Sequence, residues 1–209
     1  MTTKIIAIND IKRDEIFDTL QQGSIIAYPT DTIYGIGADI YQSDAVEKLF
    51  STKDRDYSKP VSLLYFSKEK VLADFAHLSD YEKSFITEFL PGAMTLILRA
   101  RENDQFPYPF IKDGMVGIRV IDHPKLNQLM KNYPNPITTT SINPTGEQPA
   151  ESVDEIVNYF PNQFSLIIND GSTKNKGAST VLLLSDNGYK ILRESAITKA
   201  EIEKRIPSK

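Results

Sequence analysis

The chain has no cysteine and only two histidines, His77 and His123, in 209 residues. Without thiols there is no disulfide framework, thiolate zinc site, iron–sulfur cluster or cysteine nucleophile. Two imidazoles do not build a multi-histidine metal site. Neither sign of charge dominates: 24 Lys+Arg against 28 Asp+Glu leave a net charge of −4. That excludes a surface that is everywhere a polyphosphate-binding field, but it leaves room for a local basic cleft. Long apolar runs are missing too, and stretches such as 94–98 fall far short of the roughly 20 residues of a spanning helix. The start, Met1-Thr2-Thr3-Lys4, meets a charge too early for a secretory core. A cytoplasmic location is the expectation.

Familiar phosphate and hydrolase signatures are absent as well. No G-x-x-x-x-G-K-[ST] occurs, and Gly35-Ile36-Gly37 lacks the third glycine of the dinucleotide fingerprint. There is no G-x-S-x-G elbow and no H-E-x-x-H helix. The usual routes to a P-loop kinase, a dehydrogenase or a common hydrolase lose support.

What is present reads as a single α/β domain over residues 1–209, with a twisted mixed sheet and flanking helices. No repeat, linker or low-complexity tract divides the chain. Asp10 is placed to cap a helix to about Gln22, which Gly23 ends. Helices are also expected at 43–52, from a Ser79–Glu82 capping box to about Leu90, at 124–131, at 152–159 behind a Ser152–Glu155 box, and at 198–205. Strands are expected at 24–28, 61–66, 93–100, 115–121, 137–140, 166–168, 179–184 and 189–192, the last two joined by a hairpin at Asp186-Asn187-Gly188.

Three polar clusters follow strands or helices. Tyr28-Pro29-Thr30-Asp31-Thr32-Ile33-Tyr34-Gly35-Ile36-Gly37 leaves a buried strand, and hydroxyls, a carboxylate and glycines there suit a small-ligand site in an open α/β sheet. It reads equally as a polar turn with a satisfied Asp31. Lys53-Asp54-Arg55 lies between a helix and a strand, where basic residues are often mere surface charge near a helix end. Thr138-Thr139-Thr140-Ser141-Ile142-Asn143 presents hydroxyls suited to phosphate, ribose or carboxylate, or else an exposed strand edge.

These segments, with Pro91-Gly92-x-Met94-Thr95, Val116-Gly117-Ile118-Arg119, His123-Pro124, Ser179-Thr180-Val181, Ile191-Leu192-Arg193 and Ala196-Ile197-Thr198, resemble in order and spacing the YrdC-like family. The likeness runs over about residues 11–198. It implies a twisted sheet with a concave ligand-binding face and the short, single-domain form of an L-threonylcarbamoyladenylate synthase. Such an enzyme is a nucleotidyltransferase that condenses L-threonine, bicarbonate and ATP with release of pyrophosphate. The product serves a tRNA-modifying threonylcarbamoyltransferase, which acts on the adenosine beside the anticodon. Mg²⁺ would come with ATP, and no tightly held protein metal is implied.

Carried over residue by residue, the resemblance assigns Lys53 and Arg55 to catalysis at the phosphates. Thr32, Arg119, Thr139 and Ser179 fall to L-threonine, and Ser141, Asn143, Lys59 and Arg193 join Lys53 and Arg55 around the nucleotide. An arginine suits a carboxylate because its fork meets both oxygens. The chain departs from the family with Asp56 after Arg55, Lys59 where an asparagine is usual, Glu194-Ser195 after Arg193, and Leu64 where some relatives have histidine. The alternative within the family is non-catalytic binding of double-stranded RNA, with tRNA itself a possible ligand. His123 reads as a helix-entry residue and His77 as solvent-exposed at a short helix end. Phe106-Pro107-Tyr108-Pro109-Phe110 reads as a stiff loop, with base stacking a minor role, and Lys174 and Lys176 as rim residues.

Overall fold

The computed structural model describes residues 2–101, 106–107, 109–173 and 177–206. Lys174, Lys176 and Tyr108 lie outside the described residues. The elements run β1 (Lys4–Ala7), α1 (Arg13–Gln21), β2 (Ile26–Tyr28), β3 (Gly35–Gly37), α2 (Ser43–Thr52), β4 (Ser62–Tyr65), α3 (Lys68–Asp74), α4 (Asp80–Phe89) and β5 (Met94–Arg99). They continue with β6 (Met115–Val120), α5 (Pro124–Met130), β7 (Ile137–Ser141), α6 (Val153–Tyr159), β8 (Leu166–Asn169), β9 (Thr180–Ser185), β10 (Gly188–Arg193) and α7 (Lys199–Arg205).

The ten strands of the described residues join one mixed sheet in the order β1-β8-β2-β3-β7-β4-β6-β5-β9-β10. Parallel pairs (β1 with β8, β2 with β8, β4 with β6, β5 with β9) are mixed with antiparallel ones such as β2 with β3 and β9 with β10. Side-chain alternation then sorts the residues between two faces. On one face Ala27, Ile36, Leu63, Leu96, Ile118 and Leu182 meet apolar residues of α2, α3, α4, α6 and α7. On the other, Ile26, Tyr28, Leu64, Ile137 and Ile168 pack under α1 and α5. That second cover stops short of β5, β9 and β10, and the bare half-face holds the site.

Several local signals behave as expected. Ser79 accepts from the Glu82 N–H at 3.2 Å while the Glu82 carboxylate accepts from the Ser79 N–H at 2.9 Å. His123 caps α5 by accepting from the Leu126 N–H at 3.3 Å. Elsewhere the structure corrects the reading. Lys12, not Asp10, is the N-cap of α1, and its N–H is taken by Glu15 at 3.2 Å. Glu155 reaches back to the Glu151 N–H at 2.6 Å, not to Ser152.

His77 is half-buried against the Arg99 carbonyl at 2.9 Å, not exposed. The aromatic ends of the 106–110 segment turn inward: Phe110 is fully buried and Phe106 stacks on Phe75 at 5.9 Å, so neither ring is presented to a base. Two short elements, β1 and β3, escape the periodicity, and α3 is the short helix expected before His77, whose bounds the pattern does not give.

Candidate active site

The uncovered half-face follows from the same alternation. Along β6, Val116, Ile118 and Val120 enter the core, so Met115, Gly117 and Arg119 face the other way. Thr95 and Ile97 of β5, Val181 and Leu183 of β9, and Ser62 of β4 do the same. They floor a cavity of about 700 Å³, within the range of small-molecule sites. Ile97, Met115, Val181, Leu183 and Leu192 give it an apolar bed, and the polar residues gather around that bed. Gly117 keeps the floor low, because a Cβ there would stand 2.6 Å from Ser62 Oγ.

Arg119 ends β6 inside the cavity and is buried, as are Thr30 and Thr32 on the β2–β3 connection. Its Nη2 donates to Asp31 Oδ1 at 2.8 Å and to Thr32 Oγ1 at 3.2 Å. The second Asp31 oxygen accepts from the Asp122 N–H at 3.1 Å, which ties the loop to the end of β6. Thr30 spends its hydroxyl proton on the Ile33 carbonyl at 2.5 Å. In the 3.0 Å pair of threonine hydroxyls, Thr32 is therefore the donor.

Arg119 Nε is buried with no hydrogen-bond partner among the described residues. A buried donor left unmade is costly, so this atom awaits an acceptor. Burial also pulls the Arg119 guanidinium below its usual range, partly offset by Asp31.

Arg193, at the end of β10, faces the same space. Its Nε and Nη2 donate to the Ser179 carbonyl at 3.0 and 2.9 Å, and Nη2 also reaches Ser179 Oγ at 3.2 Å. Ser179 shares a 2.8 Å contact with Thr95 Oγ1, and both hydroxyls are buried. Burial lowers the Arg193 guanidinium, and the charge of Arg119 lowers it further. Two guanidinium groups thus border one cavity and give it a positive field that favours an anion.

The Lys53 and Asn143 segments, 90 residues apart, meet at the other wall. Lys53 caps the C-terminus of α2, and its Nζ donates to the Ser141 carbonyl and to Asn143 Oδ1, the latter at 3.2 Å. Ser141 Oγ donates to the same Asn143 oxygen at 2.6 Å. The Asn143 amide nitrogen spends its two protons on the carbonyls of Pro144 and Glu147 at 3.0 and 2.9 Å. Asn143 is thus fully engaged by protein and acts on the site through Lys53 and Ser141. Burial, with Arg55 nearby, lowers the Lys53 ammonium to about 8.

Arg55 lines the cavity, held by the carbonyls of Lys59 at 2.8 Å and Pro60 at 2.9 Å. Lys59 contributes that carbonyl, while its side chain is exposed and lies outside the lining.

Of the residues picked out in the sequence, Thr32, Arg55, Arg119, Thr139, Ser141, Ser179 and Arg193 line the cavity, with Lys53 and Asn143 directly behind Ser141. Gly35 lines the cavity, and packing gives the glycines of 35–37 a second reason. They form β3, and a Cβ on Gly35 would meet Tyr28 Cζ at 2.8 Å and one on Gly37 would meet Tyr28 Cε1 at 3.0 Å. The Tyr28 ring lies over both, with its hydroxyl donating to the Thr138 carbonyl at 3.0 Å. Thr30, Thr95 and Lys112 also line the cavity, and no individual role was assigned to them from the sequence. Thr95 and Lys112 carried a signal, the first in alternation with core residues on β5 and the second beside an Asp-Gly turn. Among the described residues no group of three or more His, Asp or Glu is placed to hold a metal ion.

A family model named for Sua5, YciO and YrdC, with the description "Telomere recombination", matches residues 18–195. The chain belongs to the Sua5/YciO/YrdC family. Within that family it is 34% identical to the threonylcarbamoyl-AMP synthase of Photobacterium profundum, over 76% of this chain and 86% of that one. It is 29% identical to the Bacillus subtilis synthase, covering 96% of this chain but 58% of that protein. Among solved structures, P. abyssi Sua5 complexed with L-threonine superposes with a TM-score of 0.82 at 25% identity, covering 99% of this chain and 61% of that one. Escherichia coli YciO, at 21% identity and a TM-score of 0.78, shares the fold.

Proposed function

We propose that this Sua5/YciO/YrdC chain is a threonylcarbamoyl-AMP synthase, a nucleotidyltransferase. The observation that carries the reading is the buried Arg119, with an unpartnered Nε, facing a second guanidinium across a cavity walled by hydroxyls. The amine of L-threonine attacks the carbon of bicarbonate, or of CO₂ derived from it, and forms an N-carboxylate with loss of water. An oxygen of that carbamate then attacks the α-phosphorus of ATP. The bond to the β-phosphate oxygen breaks, pyrophosphate leaves, and threonylcarbamoyl-AMP remains.

No protein nucleophile is required, because the carbamate supplies the attacking oxygen. The protein's task is to bring two carboxylates and a triphosphate together against their repulsion. Fixed cations and aimed donors in a water-poor pocket do that. Arg119 takes the threonine carboxylate, with the hydroxyls of Thr32, Thr139 and Ser179 around it. Lys53, Arg55 and Arg193 meet the phosphates and the charge that develops on them. Ser141 and Asn143 hold Lys53 in place, and the apolar bed accepts the flat base. Lys59 joins the nucleotide only if its exposed side chain swings inward. Mg²⁺ enters as part of the ATP substrate.

The product would pass to a tRNA-modifying threonylcarbamoyltransferase, in the cytoplasm. No helix among the described residues is long and apolar enough to cross a membrane. Non-catalytic binding of double-stranded RNA is not favoured, since the cations converge inside a small-molecule cavity. The test is pyrophosphate release from MgATP, with L-threonine and bicarbonate each present or omitted. Release that requires both supports the reading, and a protein that binds neither threonine nor ATP would sink it.

A further inference from the structure

Among the described residues, Lys112 is the lining cation that the mechanism leaves without a role. It opens the tight turn that leads into β6, exchanging both backbone hydrogen bonds with Met115, at 3.0 and 2.8 Å. The two residues between them, Asp113 and Gly114, have φ of 52° and 73°. Positive φ at both central positions is what a type I′ turn demands, and Asp-Gly is a preferred pair for it. The backbone that carries Lys112 is therefore rigidly set at the cavity wall.

Its ammonium donates to the Ser58 carbonyl at 3.0 Å, on the same connection that carries Arg55. A lysine has three donors, so two are left over from that bond. Its acidic neighbours are Asp113 beside it in the lining and Asp56, whose carboxylate already accepts from the Ser58 N–H at 2.8 Å. The other cations of the lining are bound more tightly to protein. Arg55 holds two carbonyls, Arg193 holds Ser179, and Arg119 holds Asp31 and Thr32.

We propose that Lys112 is a further substrate-binding residue, contacting the polyphosphate of the nucleotide beside Arg55 while its bond to Ser58 steadies the Arg55 connection. This rests on the synthase reading given above. A compact ammonium with donors to spare suits a phosphate chain, which needs charge rather than a planar fork.

The experiment compares wild type with Lys112→Ala, Lys112→Gln and Lys112→Arg in steady-state pyrophosphate release, varying ATP and threonine separately. Glutamine keeps a donor for the Ser58 carbonyl but removes the charge, so it separates a phosphate contact from a purely structural tie. The expected result is an ATP KM raised about tenfold in Ala and Gln, threonine KM unchanged, and near-recovery in Arg. Inorganic triphosphate, used as a competitor, should lose affinity in step with ATP. An unchanged ATP KM in Ala overturns the proposal, and so does a Gln variant that behaves as wild type. Equal rises in both KM values would also overturn it. A wild-type protein without turnover refutes the synthase reading instead, so the two failures are distinct.

Discussion

Raising the pH should separate the chemistry of Lys53 from the stability of the fold, because the two respond in opposite directions. Burial lowers the Lys53 ammonium from its ordinary 10.5 to about 8 in the folded chain. Folding thus disfavours the charged form, and the unfolded chain holds the proton more tightly. Between about pH 8 and 10.5 the unfolded state binds more protons, so the Lys53 contribution to stability rises with pH. Below about 8 that contribution is a constant penalty of about 3 kcal/mol.

Activity moves the other way if the ammonium is needed at the phosphates. At pH 9 about one molecule in ten still carries the charge, and each further unit costs about tenfold. The assay is kcat/KM for ATP at saturating threonine, from pH 6.5 to 10. It should fall with an apparent midpoint near 8, while the same limb in kcat lies higher because bound phosphates favour the ammonium. Lys53→Arg should lose the limb, since a guanidinium stays charged throughout, although at a lower rate. Urea melts over the same range should show no loss of stability attributable to Lys53. A kcat/KM that is flat to pH 10, or an identical limb in Lys53→Arg, would refute the reasoning.

Asp31→Asn removes the counter-charge of buried Arg119, with side chains only 10% and 8% exposed. Breaking such a pair costs about 3–5 kcal/mol, so thermal melting should drop by about 10 °C and threonine affinity should weaken in calorimetry. A melting point within about 2 °C of wild type would contradict the pairing. Gly35→Ala drives a Cβ to 2.8 Å from the fully buried Tyr28 ring. Overpacking of this kind costs about 1–3 kcal/mol, to be read as a lower urea midpoint, and a Tyr28→Ala background should relieve it. Tyr133→Phe deletes the 2.6 Å hydrogen bond to buried Asp39. Hydrogen bonds to charged groups are worth about 1.5–3 kcal/mol, while Asn135 and the Tyr41 N–H still hold Asp39. The expected outcome is a destabilised protein with unchanged kinetic constants, and altered kinetics would tie Asp39 to the site.

Most elements were legible because their signals are local. Ser79 with Glu82 starts a helix in the sequence and in the structure, since both partners sit within one turn. The strands of 94–99 and 115–120 announce themselves by alternation. β1 was missed because an edge strand with mostly exposed residues shows no such pattern, and its pairing with β8 spans the chain. The bounds of α3 were not legible because only Val71 in it is buried. β3 was not legible as a strand, since nothing local says that Tyr28 will lie over its glycines, although its Gly35 does line the cavity.

By itself the sequence determined the residue types of the site. It placed Thr32, Lys53, Arg55, Arg119, Ser141, Ser179 and Arg193 at the ends of elements, and resemblance joined them to one chemistry. It also set which side chains alternate, and hence that β6 would have an apolar face opposite Arg119. Only the tertiary structure decided which face stays bare. α1 and α5 cover β2, β7 and β8 but stop short of β5 and β9, so the outward residues there floor a cavity. It decided as well that Asn143 serves Lys53 and that Lys59 points away. The Lys53–Asn143 bond joins residues 90 positions apart, and a distance of that kind leaves no periodicity in the chain to read.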